Sequence, residues 1–476
     1  MPHRDPERST LQGSSVQLAA GDGASAMVPA LALLWSREEP GRVGEVVCLP
    51  RAALDVPFTI GRASEPGPDG ALPLTFQQLR PGSRVDTGPL RAGDVSRWQL
   101  RVRLFAGDAL RVEQIGRGTV CVNGHAVTRA AMAPGDVVEL RGRFALLYTR
   151  RPVEWPHGEQ PGRPFAFGDA DEHGLVGESP AAWYLRHQLA FLATRDEHTL
   201  VHGPSGAGKE LVVRALHAAS SRAAAPLVAR NAATIPESLV DAELFGNIGD
   251  YPNPGTPDRP GLLGEADGGA LFLDELGELP HALQARLLRV MDGGEYQRLG
   301  EARRRRAAVR LLGATNRDPA ALKPDLLARF VHRVLVPGLD ERPEDVPLLA
   351  RHLLRRVAAG PGPLGRFLVG GEPQLASDLV LALVRRRFIA HARELLEVLW
   401  QAVAASPGAQ LQAPPGLAAP ASSPPPDPDD GPEALRREQI VAALAAVGGV
   451  REQAWRALGL QSRHQLKRLL KKYNIT

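Results

Sequence analysis

The stretch HTLVHGPSGAGKELVVRALH, residues 198–217, runs from a short apolar segment through a glycine-rich turn into an amphipathic helix. Glycines adopt backbone angles closed to other residues, so their amides can approach phosphate oxygens at the positive end of the helix. Lys209 would add a point charge for the outer phosphates. The pattern predicts a phosphate-binding loop, and a glycine-rich turn without a ligand is the alternative. The predicted loop consists of Gly203, Pro204, Ser205, Gly206, Ala207, Gly208, Lys209 and Glu210.

A second segment, GGALFLDELGELP at residues 268–280, contains an apolar strand that ends in the carboxylates Asp274 and Glu275. Strand-end carboxylates beside a phosphate loop suit ATP hydrolysis, in which catalysis depends on positioning and charge neutralisation. Asp274 would hold Mg²⁺, usually through water, and Glu275 would polarise the attacking water. The two segments together predict an ATPase with ATP and Mg²⁺ as cofactors. Two surface acids after a core strand are the alternative.

Residues 174–406 resemble the sigma-54-dependent bacterial enhancer-binding proteins, a family of ring-forming AAA+ ATPases. LVGESPA at residues 175–181 is similar to the motif that opens the family's ATPase domain. GPSGAGKE at residues 203–210 is similar to its phosphate loop, in which Glu is the normal residue after Lys. The resemblance implies an α/β P-loop core with an α-helical lid, assembly into a homo-oligomeric ring, and remodelling of sigma-54 RNA polymerase.

Further motifs extend the resemblance to single residues of the ATP site. Asn231, in RNAATIPESLVDAELFG, matches the residue that restrains the catalytic glutamate of the family. Thr315 and Asn316, in GATNRD, match the sensor strand near the γ-phosphate. Arg393, in HARELLEVL, matches the second sensor, which lies in the lid.

The segment LKPDLLARF, residues 322–330, matches the part of the family that carries two arginine fingers for the neighbouring subunit's ATP site. Arg329 stands at the second finger, whereas Lys323 stands at the first. A lysine is charged but lacks the planar, bidentate fork of a guanidinium. Slow hydrolysis is therefore expected.

The largest departure from the family lies in the loop that its members push into sigma-54. The family has GAFTGA three residues after ELFG, and this chain has Asp250, Tyr251, Pro252, Asn253, Pro254 and Gly255. Two prolines fix φ and remove two backbone donors, so a stiffer tip is expected, although the tip could also be an ordinary surface turn. Two functions stay open: a sigma-54 activator, or a DNA- and phosphopeptide-binding regulator that uses ATP for assembly or switching and does not activate sigma-54.

Short apolar alternations separated by Gly, Pro and Asp indicate an all-β sandwich in the N-terminal third. Residues 28–151 resemble forkhead-associated (FHA) domains, with a loop-rich insertion expected at about residues 65–94. The resemblance implies a phosphothreonine site, because guanidinium groups and a hydroxyl suit a dianionic phosphate. Gln99 replaces the family's structural histidine, and a sandwich that has lost its ligand is the alternative. The implied ligand-binding residues are Arg62, Ser96, Arg97 and Arg117.

The C-terminal segment, residues 433–476, predicts a helix followed by a helix-turn-helix, and it resembles the Fis-type DNA-binding module. This segment carries nine Lys and Arg against three Asp and Glu, whereas the whole chain has a net charge of +4. Basic charge is thus concentrated where DNA, at an enhancer-like site, would bind. A basic helical hairpin used only for packing is the alternative. The predicted DNA-binding residues are Ser462, Arg463, His464, Lys467, Arg468, Lys471 and Lys472.

The sequence therefore predicts a multidomain protein: an all-β FHA sandwich, an α/β AAA+ ATPase with an α-helical lid, and an all-α helix-turn-helix. Two cysteines, Cys48 and Cys121, are too few for a disulfide framework. We expect a cytoplasmic protein, because the chain has no apolar run long enough for a membrane span. The expected divisions are a disordered lead at 1–27, the sandwich at 28–151, a linker at 152–173, the ATPase core at 174–339, the lid at 340–404, a Pro/Ala-rich linker at 405–432 and the DNA-binding domain at 433–476.

Overall fold

The structure is a computed structural model. It describes residues 27–49, 54–105, 108–155, 159–236, 238–359, 363–417, 437–446, 451–458, 466–467 and 470. Nearly all of the predicted N-terminal lead lies outside these residues.

The N-terminal part is a β-sandwich of two sheets. The larger sheet has the order β10-β9-β12-β13-β1-β2-β5-β6, and the smaller has the order β11-β8-β7-β3-β4. Alternation explains the packing, since β7 reads LRVRLF and buries every second residue. The strands are β1 (Met27–Ser36), β2 (Val46–Cys48), β3 (Phe58–Ile60), β4 (Leu72–Pro73), β5 (Phe76–Arg80), β6 (Ser83–Gly88), β7 (Leu100–Phe105), β8 (Ala109–Gln114), β9 (Val120–Val122), β10 (His125–Ala126), β11 (Arg129–Met132), β12 (Val137–Leu140) and β13 (Phe144–Pro152).

The prediction of a loop-rich insertion at residues 65–94 was wrong in part. The segment contains β4, β5 and β6, and the last two extend the edge of the larger sheet. Strand β6 reads SRVDTG, which is polar and largely exposed, so it lacks the apolar alternation by which strands are recognised. Pairing with β5, from Phe76 to Arg80, determines its structure instead.

The ATPase core is built on a five-stranded parallel sheet with the order β15-β16-β19-β14-β20. Strand β16 is almost wholly buried, as expected where helices cover both faces of a parallel sheet. Its elements are α1 (Pro180–Ala193), β14 (Thr199–His202), α2 (Lys209–Ala218), β15 (Leu227–Asn231), α3 (Val240–Phe245), α4 (Gly261–Glu265), β16 (Ala270–Asp274), α5 (His281–Gly293), β17 (Glu295–Tyr296), β18 (Arg305–Arg306), β19 (Arg310–Thr315), α6 (Pro324–Arg329) and β20 (His332–Leu335).

The lid consists mainly of helices, and it continues further along the chain than the sequence predicted. Residues 406–417 fall in the predicted Pro/Ala-rich linker, yet Leu411 and Leu417 are buried and Leu411 pairs with Leu375. Isolated leucines anchor this segment, which has no helical period. The rest of the predicted linker, residues 418–432, lies outside the described residues. The elements of the lid are α7 (Val346–Ala358), β21 (Leu368–Val369), β22 (Glu372–Pro373), α8 (Ser377–Arg385) and α9 (His391–Ala405).

The β-sandwich and the lid share one hydrophobic core. Leu34, Trp35 and Leu147 of the sandwich belong to the same buried cluster as Phe367 and Leu399 of the lid. The Trp35 indole Nε1 also donates to the Leu375 carbonyl at 2.7 Å. A buried aromatic residue with its polar group satisfied favours a fixed contact between the two parts.

The C-terminal residues that the structure describes form α10 (Arg437–Ala446), α11 (Arg451–Ala457) and short helical pieces at 466–467 and 470. Ile440, Ala454, Leu466 and Leu470 are buried together and form an apolar stripe inside the segment. Among the described residues, none of the helices is long and apolar enough to cross a membrane.

Candidate nucleotide-binding site

The glycine-rich turn joins the carboxyl end of β14 to the start of α2. Three of its glycines have positive φ angles, 149° at Gly203, 75° at Gly206 and 102° at Gly208, which side chains other than glycine rarely adopt. The Lys209 ammonium donates to the carbonyls of Gly203 and Pro204 at 3.0 and 3.2 Å, so it lies inside the turn. Sites for anionic ligands in parallel sheets lie at this end of the strands, where a helix begins.

Burial and nearby charge shift the pKa of Lys209 in opposite directions. Burial lowers the pKa of its ammonium, and the carboxylates of Glu275 and Asp274 oppose that shift. A nucleotide phosphate at the turn would pair with this ammonium, and a divalent cation would neutralise the two carboxylates beside the phosphate. The donor set therefore fits a nucleotide phosphate together with Mg²⁺.

The lid contacts the phosphate-binding turn directly, through the start of α9. The Ala392 amide donates to the Gly206 carbonyl at 3.1 Å. A Cβ atom at Gly206 would lie 2.0 Å from the Ala390 carbonyl oxygen and 3.4 Å from the Cβ of Arg393. The lid thus brings Arg393 to the predicted phosphate site, and only glycine permits the approach.

An apolar cavity of about 270 Å³ lies between the phosphate-binding turn, residues 174–176 and the lid. Apolar walls with a few polar groups suit an adenine base adjacent to the phosphates. His352 and Arg356 of α7 are polar groups in its lining. Burial lowers the pKa of His352, which favours the neutral ring there. The apolar lining includes Leu175, Val176, Leu211, Leu349, Leu353 and Leu396.

The two candidate catalytic carboxylates stand at the end of β16. Asp274 Oδ1 accepts from the Glu275 amide at 2.9 Å, and Glu275 has a left-handed backbone with φ 52°. Such a conformation is costly for a residue with a side chain and is often found at functional sites. The Glu275 carboxylate accepts from the Asn316 amide at 3.4 Å.

Asn231 is placed next to this pair, at the end of the neighbouring strand β15. It stands opposite Asp274 in the sheet, and its Oδ1 accepts from the Ala233 amide at 2.9 Å. The Oδ1 atom of Asn231 thus caps the next turn, and the Glu275 carboxylate contacts the backbone amide of Asn316.

Glu210, predicted as part of the phosphate-binding loop, points elsewhere. Its carboxylate pairs with Arg214 one turn along α2 at 2.7 Å, and both side chains are more than half exposed. Position 210 of the loop therefore offers only its backbone to a phosphate. Mg²⁺ would be held by Asp274 and by phosphate oxygens, where it would neutralise developing charge.

The predicted finger residues lie at the ends of α6. Lys323 is the cap residue before α6, and Arg329 at its last turn forms a bidentate ion pair with Asp292 of α5. Both members of that pair are about half exposed, so the Arg329 guanidinium is accessible from solvent. Thr315 is buried at the end of β19, and its Oγ1 accepts from the Arg317 amide at 3.1 Å.

The predicted phosphothreonine residues lie together at one end of the β-sandwich. The Arg62 amide donates to the Ser96 carbonyl at 3.2 Å, and the Arg117 amide donates to Ser96 Oγ at 3.0 Å. The guanidinium of Arg97 is exposed and pairs with Glu65. The four predicted residues therefore come together from three loops.

Gln99 performs a role that sequence reasoning did not foresee. It is fully buried, its Oε1 accepts from the Ser96 amide at 3.2 Å, and its Nε2 donates to the Arg117 carbonyl at 2.9 Å. The glutamine thus joins two of the loops that surround Ser96. Its position in place of the family's histidine was the available signal.

Of the predicted DNA-binding residues, the structure describes only Lys467, which is exposed. The other predicted DNA contacts lie outside the described residues; they are Ser462, Arg463, His464, Arg468, Lys471 and Lys472.

Comparison with known proteins gives a consistent assignment. Residues 175–333 match the family model described as the sigma-54 interaction domain. The transcriptional regulatory protein ZraR of Salmonella typhimurium is 37% identical over 324 residues, covering 66% of this chain and 72% of ZraR. The chain belongs to the family of sigma-54-dependent transcriptional regulators. Its ATP site is therefore that of an AAA+ P-loop ATPase.

Two further proteins are also similar to this chain. The anaerobic nitric oxide reductase transcription regulator NorR of Enterobacter sp. is 40% identical over 251 residues, covering 49% of this chain and 50% of NorR. A crystal structure of NtrX from Brucella abortus in complex with ATP has 28% sequence identity and a TM-score of 0.46, covering 63% of this chain and 70% of NtrX.

One further site residue of this sigma-54-dependent regulator was not predicted. His391, two residues before Arg393, is buried with φ 42°, and its Nδ1 accepts from the Leu339 amide at 3.1 Å. Gly338 lies against the imidazole ring. His391 thus fixes the point where the lid meets the chain that leaves the core sheet.

Proposed function

We propose that this protein is a bacterial transcriptional activator that couples ATP hydrolysis in a homo-oligomeric ring to remodelling of sigma-54 RNA polymerase. The observation that carries the proposal is the convergence of Lys209, Asp274 and Glu275 at one edge of the sheet in a domain that matches the sigma-54 interaction domain. Arg393 from the lid and an accessible Arg329 supply the remaining charges for γ-phosphate chemistry.

The loop that would contact sigma-54, residues 247–259, is anchored to a second loop, residues 298–300. Arg298 is buried, and its Nη2 donates to the carbonyls of Asn247 and Arg259 at 2.6 and 2.7 Å. Asn247 also bridges to both Arg259 and Leu299. The ring of Tyr251 lies against Gly300, since a Cβ there would be 2.6 Å from its Cγ. A movement of the second loop would therefore be carried to the tip.

One observation favours the alternative function, a regulator that does not activate sigma-54. The tip is a closed turn, in which Asp250 Oδ1 accepts from the Gly255 amide at 2.7 Å and the Asp250 amide donates to the Thr256 carbonyl at 2.8 Å. The turn leaves Tyr251 41% exposed. An acidic turn with one aromatic would suit a different partner, and the ATP site would then serve assembly or switching.

Control by a phosphothreonine protein is the second part of the proposal. The cluster of Arg62, Arg97 and Arg117 around Ser96 offers charge and hydrogen bonds to a dianionic phosphate, and Gln99 holds its loops. Arg62→Ala should abolish binding of a phosphothreonine peptide library in fluorescence polarisation, and Arg84→Ala, an exposed arginine of β6, should not. An unaltered chain that ignores the library would show that the site has lost its ligand.

DNA binding by the C-terminal segment is the third part. Its apolar stripe is already buried inside the segment, so the exposed Lys467 is available to a ligand. Lys467→Ala should weaken binding to an enhancer-like duplex and lower the dependence of log K on log salt by about 1. Lys323→Ala, far along the chain, is the control. Equal salt slopes for the two variants would argue against a phosphate contact at Lys467.

A further inference from the structure

Two buried arginines of the β-sandwich, Arg80 and Arg151, contact residues close to the apolar cavity between the phosphate-binding turn and the lid. Arg80, the last residue of β5, donates from Nε to Glu178 Oε2 at 2.9 Å and from Nη1 to the Phe165 carbonyl at 2.8 Å. Its guanidinium also lies 4.3 Å from the ring centroid of Phe165 and 5.4 Å from that of Trp183. Arg80 is thus enclosed by groups from outside the sandwich.

The second arginine, Arg151, forms an ion pair with the start of the lid. Arg151 of β13 donates from Nη1 to Glu344 Oε1 at 2.7 Å, and the exposed fractions of the two side chains are 2% and 8%. Glu344 directly precedes Asp345 at the start of the lid. The sandwich therefore holds the first turn of the lid through an ion pair shielded from water.

Asp345 joins these two contacts. One of its carboxylate oxygens accepts from the amides of Glu178 and Ser179 at 2.8 and 2.9 Å. Arg80 binds the side chain of Glu178, Asp345 binds its backbone, and Arg151 binds the neighbour of Asp345. The sandwich and the lid thus both form hydrogen bonds with one short segment of the ATPase core, residues 175–179.

That segment forms one wall of the cavity. Leu175 and Val176 line it, and Arg186 of α1 donates to the carbonyls of Leu175 and Gly177 at 2.8 Å each. The opposite walls are the phosphate-binding turn and the lid helices. Displacement of Glu178 would consequently move the wall on which a base would lie.

Buried ion pairs resist displacement because a charge left without its partner in a low-dielectric setting is costly. If Arg80 or Arg151 moved away, Glu178 or Glu344 would lose a buried ion-pair partner, and Glu178 would keep hydrogen bonds from the Gly168 amide and the Trp183 indole. The contacts therefore behave as fixed points of attachment, whereas an apolar interface alone would tolerate small shifts.

We propose that Arg80 and Arg151 are positioning residues of the ATPase, through which the β-sandwich holds residues 175–179 and the start of the lid in the geometry that binds nucleotide. A ligand that shifts the sandwich would then alter nucleotide affinity, and nucleotide would alter the affinity for that ligand by the same factor. The inference rests on the assignment of the ATP site and goes beyond it, because it gives the N-terminal part a direct role in nucleotide binding.

The test uses the full chain with Arg80→Met and Arg151→Met. Arg150→Met is the matched control, since Arg150 is the neighbour of Arg151 in β13 but is 48% exposed. Isothermal titration with ADP and steady-state ATP hydrolysis give Kd, KM and kcat. We expect Kd and KM to rise about tenfold in each of the two variants, with kcat at saturating ATP nearly unchanged and the control like the unaltered chain.

Two results separate the possible failures. Absence of ADP binding by the unaltered chain would overturn the ATP-site assignment and this inference with it. Normal ADP binding by the unaltered chain together with unchanged Kd and KM in both variants would overturn this inference alone. A fall in kcat at unchanged KM would also contradict it, because the effect would then lie outside nucleotide binding.

A measurement on the unaltered chain avoids dependence on the folding of the variants. ADP should slow amide hydrogen exchange in residues 76–80 and 144–152 of the sandwich as well as in residues 203–209. Protection of residues 203–209 with no change in either sandwich segment would contradict the proposed coupling.

Discussion

Replacement of Gly206 by alanine tests the contact between the phosphate-binding turn and the lid. The new Cβ would lie 2.0 Å from the Ala390 carbonyl oxygen, whereas ordinary van der Waals contact begins near 3.4 Å. The backbone of residue 206 fixes the position of the Cβ, and the oxygen belongs to the backbone of Ala390, so no side-chain rotation can relieve the contact. The start of α9 would retreat by more than an ångström and carry Arg393 with it.

Gly206→Ala should have two effects, a loss of stability and a loss of ATPase activity. A side chain at φ 75° costs about 1–2 kcal/mol of stability, whatever the surroundings. Misplacement of a charged group by about 1 Å is expected to lower kcat/KM for ATP about a hundredfold. Gly268→Ala separates the two, because Gly268 has φ 77° and a Cβ there meets nothing within 4 Å.

Thermal unfolding and steady-state ATP hydrolysis of the two variants provide the assay. Gly206→Ala should lose at least as much stability as Gly268→Ala, because it adds a backbone clash to the same φ cost, and only Gly206→Ala should lose the hundredfold in kcat/KM. Equal kcat/KM for the two variants would refute the reasoning, since the lid would then not depend on its close approach to Gly206.

Three further predictions concern single residues. Lys209→Ala should abolish ADP binding in a calorimetric titration, and Lys323→Ala should retain it. Glu275→Gln should keep nucleotide affinity but slow ATP turnover about 10²- to 10⁴-fold, and a smaller loss would argue against its role as the base. Burial lowers the pKa of His198, whose Nδ1 accepts from the Leu311 amide at 2.9 Å, so the folded state holds the neutral ring. The unfolded chain takes up the extra proton, so the free energy of unfolding should fall as the pH drops below 6.5, and urea unfolding of His198→Gln should show a smaller pH slope.

Much of the ATPase could be predicted from sequence because its signals are local. The turn from Gly203 to Lys209 requires glycines at fixed positions, and a buried parallel strand before Asp274 is a continuous apolar run. Positive φ angles and strand burial each leave a mark on nearby residues.

The contacts between distant parts of the chain have no local sequence signal by which they could be predicted. Arg80 stands in a polar segment that reads as loop, and its burial depends on Glu178, 98 residues later. Leu411 looks like part of a flexible linker until Leu375 pairs with it. The shared core of sandwich and lid likewise consists of residues whose hydrophobicity is explained equally well by separate domains.

The contacts around Glu275 could not be predicted from the sequence for a similar reason. The Oδ1 atom of Asn231 accepts from the amide two residues ahead, a local bond that Asn favours before a turn. The Glu275 carboxylate then meets the Asn316 amide at the end of the adjacent strand β19.

Complex formation with sigma-54 tests the central claim most directly. The full chain is mixed with sigma-54, ADP and a metal fluoride as transition-state mimic, and a native gel reports the complex. The comparison is a variant in which residues 250–255 read GAFTGA. We expect a complex with the natural loop, in which Tyr251 and Asp250 form the contact surface. A complex with only the GAFTGA variant would contradict the claim, because the ATPase would be intact while its partner is not sigma-54.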